Sequence, residues 1–279
     1  MIDAAGLRRF LNTEVFEKLV EFYNNPQPML PRPDFKTVYS WLGDEVEEEF
    51  FQHPAKMSPW LAAAIWCNVE PDDVVLDPMC GVGGTVIPGL LLNPPRKVVL
   101  NDIVPEYVEV ARKVCESVVK ELGFNTRVEA YTANAATLYE RVGRRSVDII
   151  ITSPPYGAMR ASTYHPYRKE YRGGGWGDLA TFNNGHYSVA WLQLIAGFYL
   201  TLDQGGKCLI NIKNTRTHKQ KLPPLSEITA RHMEYVGFQR ISREEFLLTY
   251  ESPYVRGRRV RGESIDHLLR EYVIRGVKP

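Results

Sequence analysis

The chain has 279 residues, 44% of them hydrophobic, and carries 34 Lys and Arg against 33 Asp and Glu, a formal net charge of +1 at pH 7. That is enough apolar material to bury one substantial core, so one main domain with decorations is expected. No apolar run reaches the length of a membrane span and no secretory leader opens the chain, and the four cysteines, at positions 67, 80, 115 and 208, form neither a Cys-x-x-Cys pair nor a Cys/His metal spacing. A soluble protein of the reducing cytosol, without a bound metal, is the expectation. The near-zero net charge leaves the question of a polyanionic partner to how charge is distributed along the chain.

Residues 1–50 read as an N-terminal extension: an amphipathic opening helix, a proline-rich stretch (Pro26, Pro28, Pro31, Pro33) and an acidic patch from Asp44 to Glu49. A main domain then spans 51–279. Its elements alternate: a helix from about Pro59 to Asn68, a strand at Val74 to Leu76, a helix from Gly84 to Leu92, a strand at Lys97 to Leu100, a helix from Pro105 to Leu122, and a strand near Arg127 to Thr132. The apolar run Val147 to Thr152 is the fourth strand. A helix from Tyr187 to Thr201 follows, and Gly205-Gly206 turns into a fifth strand at Lys207 to Ile212. Strand candidates at Phe238 to Ile241, Glu245 to Tyr250 and Glu271 to Arg275 would complete the sheet with an antiparallel hairpin. Alternating β and α predicts an α/β fold with a doubly wound, mostly parallel, seven-stranded sheet.

Two motifs sit at strand ends, where open α/β sheets bind ligands. After the first strand, Asp77-Pro78-Met79-Cys80-Gly81-Val82-Gly83-Gly84-Thr85 reads as a glycine-rich turn running into a helix. Gly81 and Gly83 allow close backbone approach to a ligand, and the helix start offers unpaired N-H groups. The spacing is neither the dinucleotide fingerprint nor a phosphate loop, so a pyrophosphate ligand is not favoured. Asp77 suits a cationic or hydroxyl-bearing ligand instead. The second strand ends at Asn101-Asp102, which places an acidic residue where a ribose diol is bound; Asp102 is equally suited to cap the helix starting at Pro105.

The fourth strand delivers Ser153-Pro154-Pro155-Tyr156. Two prolines fix φ and remove both N-H donors, so the turn presents carbonyl oxygens flanked by a serine hydroxyl and an aromatic face. Such a corner can accept hydrogen bonds from an amino group. It can also be read as a rigid strand-ending loop. Directly after it, residues 157–187 interleave Tyr164, Tyr167, Tyr171, Trp176 and Phe182 with Arg160, Arg168, Lys169 and Arg172 around Gly173-Gly174-Gly175. Aromatics stack on unpaired bases, arginines meet phosphates and glycines supply hinges, so this segment is predicted to be a substrate-binding lid. Lys213, after the fifth strand, and Arg256, Arg258 and Arg259 in the run Arg256 to Gly262 are further candidate phosphate contacts. The alternative for that run is a solvated loop paired with Glu251 and Glu263.

Together, Asp77 to Thr85, Asp102 and Ser153 to Tyr156, with His53 to Pro59 just ahead of the glycine turn, resemble the S-adenosylmethionine-dependent amino-methyltransferases of nucleic acids. The serine form of the corner is similar to the DNA N4-cytosine enzymes. The resemblance covers about residues 50–215 and implies a class I, Rossmann-like methyltransferase fold with S-adenosyl-L-methionine as cofactor. It places Asp77, Pro78, Cys80, Gly81 and Gly83 around the methionine part, Asp102 on the ribose, Asn134 and Ala135 near the adenine, and Lys56 at the pocket wall. Ser153, Pro154, Pro155 and Tyr156 would be catalytic, with Ser153 Oγ and the Pro154 carbonyl holding the amine and Tyr156 stacking on the extruded base. Asn134 departs from the acidic residue often found at its position.

No separate target-recognition region is evident, so the expected substrate, cytosine N4 in DNA, stands beside an RNA alternative. That alternative is cytosine N4 or guanine N2 in ribosomal or transfer RNA. An inactive cofactor-binding scaffold is a third reading, against which the intact corner argues.

Overall fold

The computed structural model describes residues 13–40, 42, 50–51, 56–155, 184–214, 224–251, 253–262 and 265–279. Tyr156 and the predicted lid as far as residue 183, with Arg160, Tyr164, Tyr167, Arg168 and Trp176, lie outside the described residues, as do His53 to Ala55 and the side chain of Arg258. The chain divides into two compact units, one ending at Thr132 and the other beginning at Ala133.

In the first unit, helix α1 (Thr13–Asn24) places Val15, Leu19 and Phe22 on one face, the spacing of an amphipathic helix, and buries all three. A two-residue strand, β1 (Met29–Leu30), and a short helix, α2 (Phe35–Val38), occupy the proline-rich stretch. Helix α3 (Pro59–Trp66) is buried along its whole length. It meets α1 through Phe22 and Trp60, whose rings stack with centroids 6.1 Å apart. Strands β2 (Val74–Asp77), β3 (Lys97–Asp102) and β4 (Arg127–Thr132) pair in parallel, β2 with β3 and β3 with β4. The connecting helices are α4 (Ile87–Leu92) and α5 (Pro105–Glu121). The latter packs on β3 and β4, and its buried residues include Val108, Ala111, Cys115 and Val118. Parallel strands need such crossovers, and burial on both faces explains the apolar runs Val74 to Leu76 in β2 and Val98 to Leu100 in β3.

The second unit opens with a 3-10 turn (Ala135–Thr137) and a short helix, α6 (Tyr139–Val142). Strands β5 (Val147–Thr152) and β6 (Leu202–Ile212) run parallel across helix α7 (Asn184–Thr201). Helix α8 (Leu225–Val236) leads to β7 (Gln239–Leu248), then helix α9 (Pro253–Val260) and a 3-10 turn lead to β8 (Arg270–Val277). Strand β8 lies antiparallel between β6 and β7. The last strand is anchored by Lys278, whose ammonium donates to the carbonyls of Tyr199 (2.7 Å) and Leu202 (2.6 Å).

The mostly parallel α/β class is as expected, with corrections in detail. Eight strands occur among the described residues rather than seven, because β1 forms within the extension. The two strand candidates at 238–241 and 245–250 are one strand, β7, carrying a register shift between Gln239 and Ser242 and a positive φ of 51° at Arg240. Strand β6 begins at Leu202, ahead of the Gly205-Gly206 pair. Residues 256–260 of the arginine run fall on a helix, α9 (Pro253–Val260), and only Arg261 and Gly262 lie in a turn beyond it.

One contact shows how tightly the first unit is built. The indole of Trp66 lies over Gly89 in α4, where a Cβ would fall 1.9 Å from Trp66 Cδ2, and the indole N-H donates to the Asn93 carbonyl at 2.9 Å. Alanine is the better helix former by about 1 kcal/mol. Overpacking nevertheless costs about 1–3 kcal/mol. Gly89→Ala is therefore expected to lower the urea midpoint, and an unchanged or raised midpoint would show that Trp66 yields freely.

Candidate functional site

The glycine turn is held in shape by the tip of the neighbouring strand. Gly81 and Gly83 take positive φ values of 49° and 88°, a region open to glycine at little cost. Three hydrogen bonds tie this pliable segment to β3. The Cys80 N-H donates to the Asn101 carbonyl (2.8 Å), the Asn101 side-chain amide donates to the Pro78 carbonyl (2.9 Å), and the Gly81 N-H donates to Asp102 Oδ2 (2.9 Å). Asp102 Oδ1 accepts from the Val104 N-H at 3.0 Å, at the entrance to α5. The N-cap of α5 is Val104 and no side chain caps the helix, so Asp102 shapes the approach to α5 rather than capping it, while the same carboxylate pins the turn. Asp77 is fully buried, and its Oδ1 accepts from the Met79 N-H (3.2 Å). Burial, together with the Asp102 and Asp77 carboxylates, pushes the Cys80 thiol well above its ordinary range, so it stays neutral.

Ser58, in the segment ahead of the turn, is buried at the start of α3, and its Oγ has no hydrogen-bond partner among the described residues. Lys56 lies against the glycine turn. Its stem packs beside Gly84, where a Cβ would lie 3.4 Å from Lys56 Cβ. Its ammonium donates to the Phe50 carbonyl (3.0 Å) and lies 5.3 Å from the Phe50 ring centroid. Burial lowers its pKa to about 8.

This half fits a sulfonium cofactor. Two carboxylates lie close enough to the turn to act on the Cys80 thiol, the turn backbone is glycine, and a buried hydroxyl at Ser58 is available as donor and acceptor. A cation carrying hydroxyl groups matches that set, whereas a pyrophosphate would meet like charge.

In the second unit, the corner follows β5. The Pro155 carbonyl accepts from the Tyr187 hydroxyl at 2.8 Å, which ties the corner to α7. Ser153 Oγ accepts from the Asn211 amide at 3.5 Å, and Asn211 also donates to Glu271 Oε2 at 2.8 Å. Asn211 and Glu271 were not anticipated. The available signal was a polar residue inside an otherwise apolar strand, Leu209-Ile210-Asn211-Ile212. Asn101 was equally visible as a polar residue next to Asp102. Asn134 caps the 3-10 turn, its Oδ1 accepting from the Ala136 N-H at 2.9 Å, and Ala135 is buried.

The basic candidates separate. Lys213 pairs with Glu271 at 3.1 Å and Arg259 with Glu251, whereas Arg256 is exposed on α9. For Arg259 the ion-pair alternative to phosphate contact is the arrangement found. No helix among the described residues is long and apolar enough to cross a membrane.

A family model described as UPF0020, RMKL-like methyltransferase domain, matches residues 48–169, which contain both the glycine turn and the corner. Over 124 residues the chain is 34% identical to the tRNA (guanine(10)-N2)-dimethyltransferase of Methanothermobacter thermautotrophicus. That stretch is 44% of this chain and 34% of the relative, so the match spans about a third of the relative's length. Among solved structures, the [4+2]-cyclase SpnF superposes with a TM-score of 0.52 at 13% identity, over 81% of this chain and 83% of that one. A chain of the Haloferax volcanii complex containing the Trm112 methyltransferase activator gives 0.51 at 12% identity, over 84% and 93%. The fold is that of the class I, Rossmann-like methyltransferases. Because SpnF is a cyclase, the fold alone does not fix the reaction. The matched domain implies S-adenosyl-L-methionine as cofactor.

Two tests follow from this geometry. Asn101→Ala leaves the Pro78 carbonyl without its donor, a loss of about 1–3 kcal/mol at a buried site. The S-adenosylmethionine dissociation constant should rise roughly 10-fold by calorimetry, since 1.4 kcal/mol is tenfold. A lowered Tm with unchanged binding would show that the turn keeps its shape unaided. For Lys56, the folded-state pKa of about 8 lies below the ordinary value near 10.4, so the unfolded chain binds more protons across that window. Stability should therefore rise from about pH 8 to 10, by at most about 1.4 kcal/mol per pH unit. Lys56→Met should flatten the slope in urea titrations; an identical slope would place the titration elsewhere.

Proposed function

We propose that this protein transfers a methyl group from S-adenosyl-L-methionine to an exocyclic amine of a base in RNA, with guanine N2 the first candidate. The observation that carries this reading is the family match over residues 48–169, which includes a glycine turn fitted to a sulfonium and a corner able to accept from an amine. The serine of the corner had pointed to cytosine N4 in DNA. The tRNA guanine-N2 relative, at 34% identity over 124 residues, moves the preference to RNA.

The chemistry supplied by S-adenosyl-L-methionine is an activated methyl on sulfur: the S-CH3 bond breaks as the amine lone pair forms N-CH3, and the nitrogen then loses a proton to water. The protein's part is to hold and orient. An exocyclic amine on a base donates two N-H groups and has its lone pair delocalised into the ring, so acceptors that fix both hydrogens concentrate electron density on nitrogen. Ser153 Oγ and the Pro154 carbonyl are those acceptors. The bond from Tyr187 to the Pro155 carbonyl holds the corner's backbone in place. A serine of ordinary pKa is a poor base and deprotonates nothing here. Asp77 and Asp102 favour the cation, and proximity supplies much of the acceleration. Tyr156 stacks on the base, while Arg160, Tyr164, Tyr167, Arg168 and Trp176 of the lid, with Arg256, grip the unpaired strand and its phosphates.

The test is incubation with methyl-labelled S-adenosylmethionine and either total RNA or genomic DNA, followed by nucleoside analysis. Labelled N2-methylguanosine from RNA is expected, and Ser153→Ala should lower turnover roughly 100-fold, as loss of one transition-state hydrogen bond does elsewhere. Label recovered as N4-methylcytosine from DNA alone would overturn the RNA reading.

A further inference from the structure

The second unit buries a carboxylate that the proposed transfer does not use. Glu271, 5% exposed at the start of β8, sits beside Asn211, 1% exposed near the end of β6. Glu271 Oε2 accepts from Asn211 Nδ2 at 2.8 Å, and Oε1 pairs with Lys213 Nζ at 3.1 Å. The same Asn211 nitrogen approaches Ser153 Oγ at 3.5 Å. A buried charge is costly to place in a sheet and is tolerated when paired, as it is here by Lys213. Apolar residues of similar size would fill the space at less cost, so this arrangement calls for a reason beyond packing.

Hydrogen-bond capacity supplies the reason. An ionised carboxylate only accepts, so the NH2 end of Asn211 must face Glu271, and the amide cannot reverse. One N-H then goes to Glu271, and the second N-H of that nitrogen faces Ser153 Oγ. Ser153 receives a donor from the sheet side. Its own hydroxyl hydrogen is turned away from Asn211, and the direction of the Oγ lone pairs is thereby set. With the amide reversed, Asn211 would present its carbonyl, Ser153 would donate to it, and the orientation of the Oγ lone pairs would change.

We infer that Glu271, acting through Asn211, is a positioning residue that sets the hydroxyl of Ser153 as a hydrogen-bond acceptor for the target amine, with the Lys213 ion pair fixing the place of the Glu271 carboxylate. This rests on the reading of Ser153 as an amine-binding residue. It replaces the phosphate contact expected of Lys213 with an internal role.

The experiment compares wild type, Glu271→Gln, Ser153→Ala and the double variant, with methyl transfer to total RNA and S-adenosylmethionine binding measured in parallel. Glu271→Gln keeps the shape but releases the amide orientation. Its kcat should fall about 10-fold, with cofactor affinity and KM for RNA within twofold of wild type. Because the effect passes through Ser153, the double variant should be no slower than Ser153→Ala alone. Independent, additive losses would overturn the inference, since a brace that merely stabilises the sheet would act whatever stands at position 153. A second readout needs no activity: in protein labelled with nitrogen-15 at asparagine, the Asn211 side-chain protons should exchange slowly with solvent. One of them should shift in Ser153→Ala, and both should exchange faster in Glu271→Gln. Wild-type Asn211 protons that exchange rapidly, or that ignore Ser153→Ala, would overturn it even if Glu271→Gln fails to fold. If wild-type protein methylates no RNA, the functional reading falls, and the asparagine signals still decide the positioning role.

Discussion

Everything proposed for the first unit depends on the hydrogen bonds that run from the end of β3 back to the glycine turn. A segment with positive φ at both Gly81 and Gly83 has much conformational freedom to lose, and glycine loses more of it on folding than any other residue. Left to itself, such a turn would sample many shapes. Asn101 and Asp102 remove that freedom from one side, with backbone and side-chain atoms together. A ligand then meets a surface already formed, and the ordering cost is met during folding rather than during binding.

The second unit applies the same economy with different chemistry. Prolines 154 and 155 have no N-H groups, so the corner cannot be pinned through its own donors. It is held through acceptors instead: the Pro155 carbonyl takes the Tyr187 hydroxyl, and Ser153 Oγ takes the Asn211 amide. The two units thus present opposite problems, a backbone with too much freedom and one with too few donors. In both, side chains on neighbouring elements supply the constraint.

Much of the fold could be read from the sequence because its strands are short apolar runs ended by polar or glycine residues. β4 and β5 appear where expected, β3 extends two residues further, and α5 runs from Pro105 as its proline at the first turn announces. The misreadings have local causes. The extra residue in β7 breaks the period-two pattern, so one strand looked like two. The arginine run looked like a loop because charge and glycine dominate it, yet Val255 is buried and joins Ile265 and Leu268 in a small core, which gives the helix a face to pack. Of the site, the turn and corner were visible as local motifs. Asn101, Asn211 and Glu271 were harder to see because their function comes from neighbours brought close by strand pairing, Asn211 and Glu271 being sixty residues apart. The ion pair of Lys213 was hidden for the same reason, because its carboxylate lies on β8.

The antiparallel pairing of β6 with β8 sets Ile212 opposite Tyr272 and Asn211 opposite Val273. Side chains alternate faces along a strand, so a slip of β8 by one residue would carry Glu271 to the other side of the sheet. The register of two strands is thereby coupled to the orientation of one hydroxyl. Loops joining these strands can lengthen or shorten across related sequences with little consequence for the serine, while an insertion within either strand would silence it without touching the corner at all.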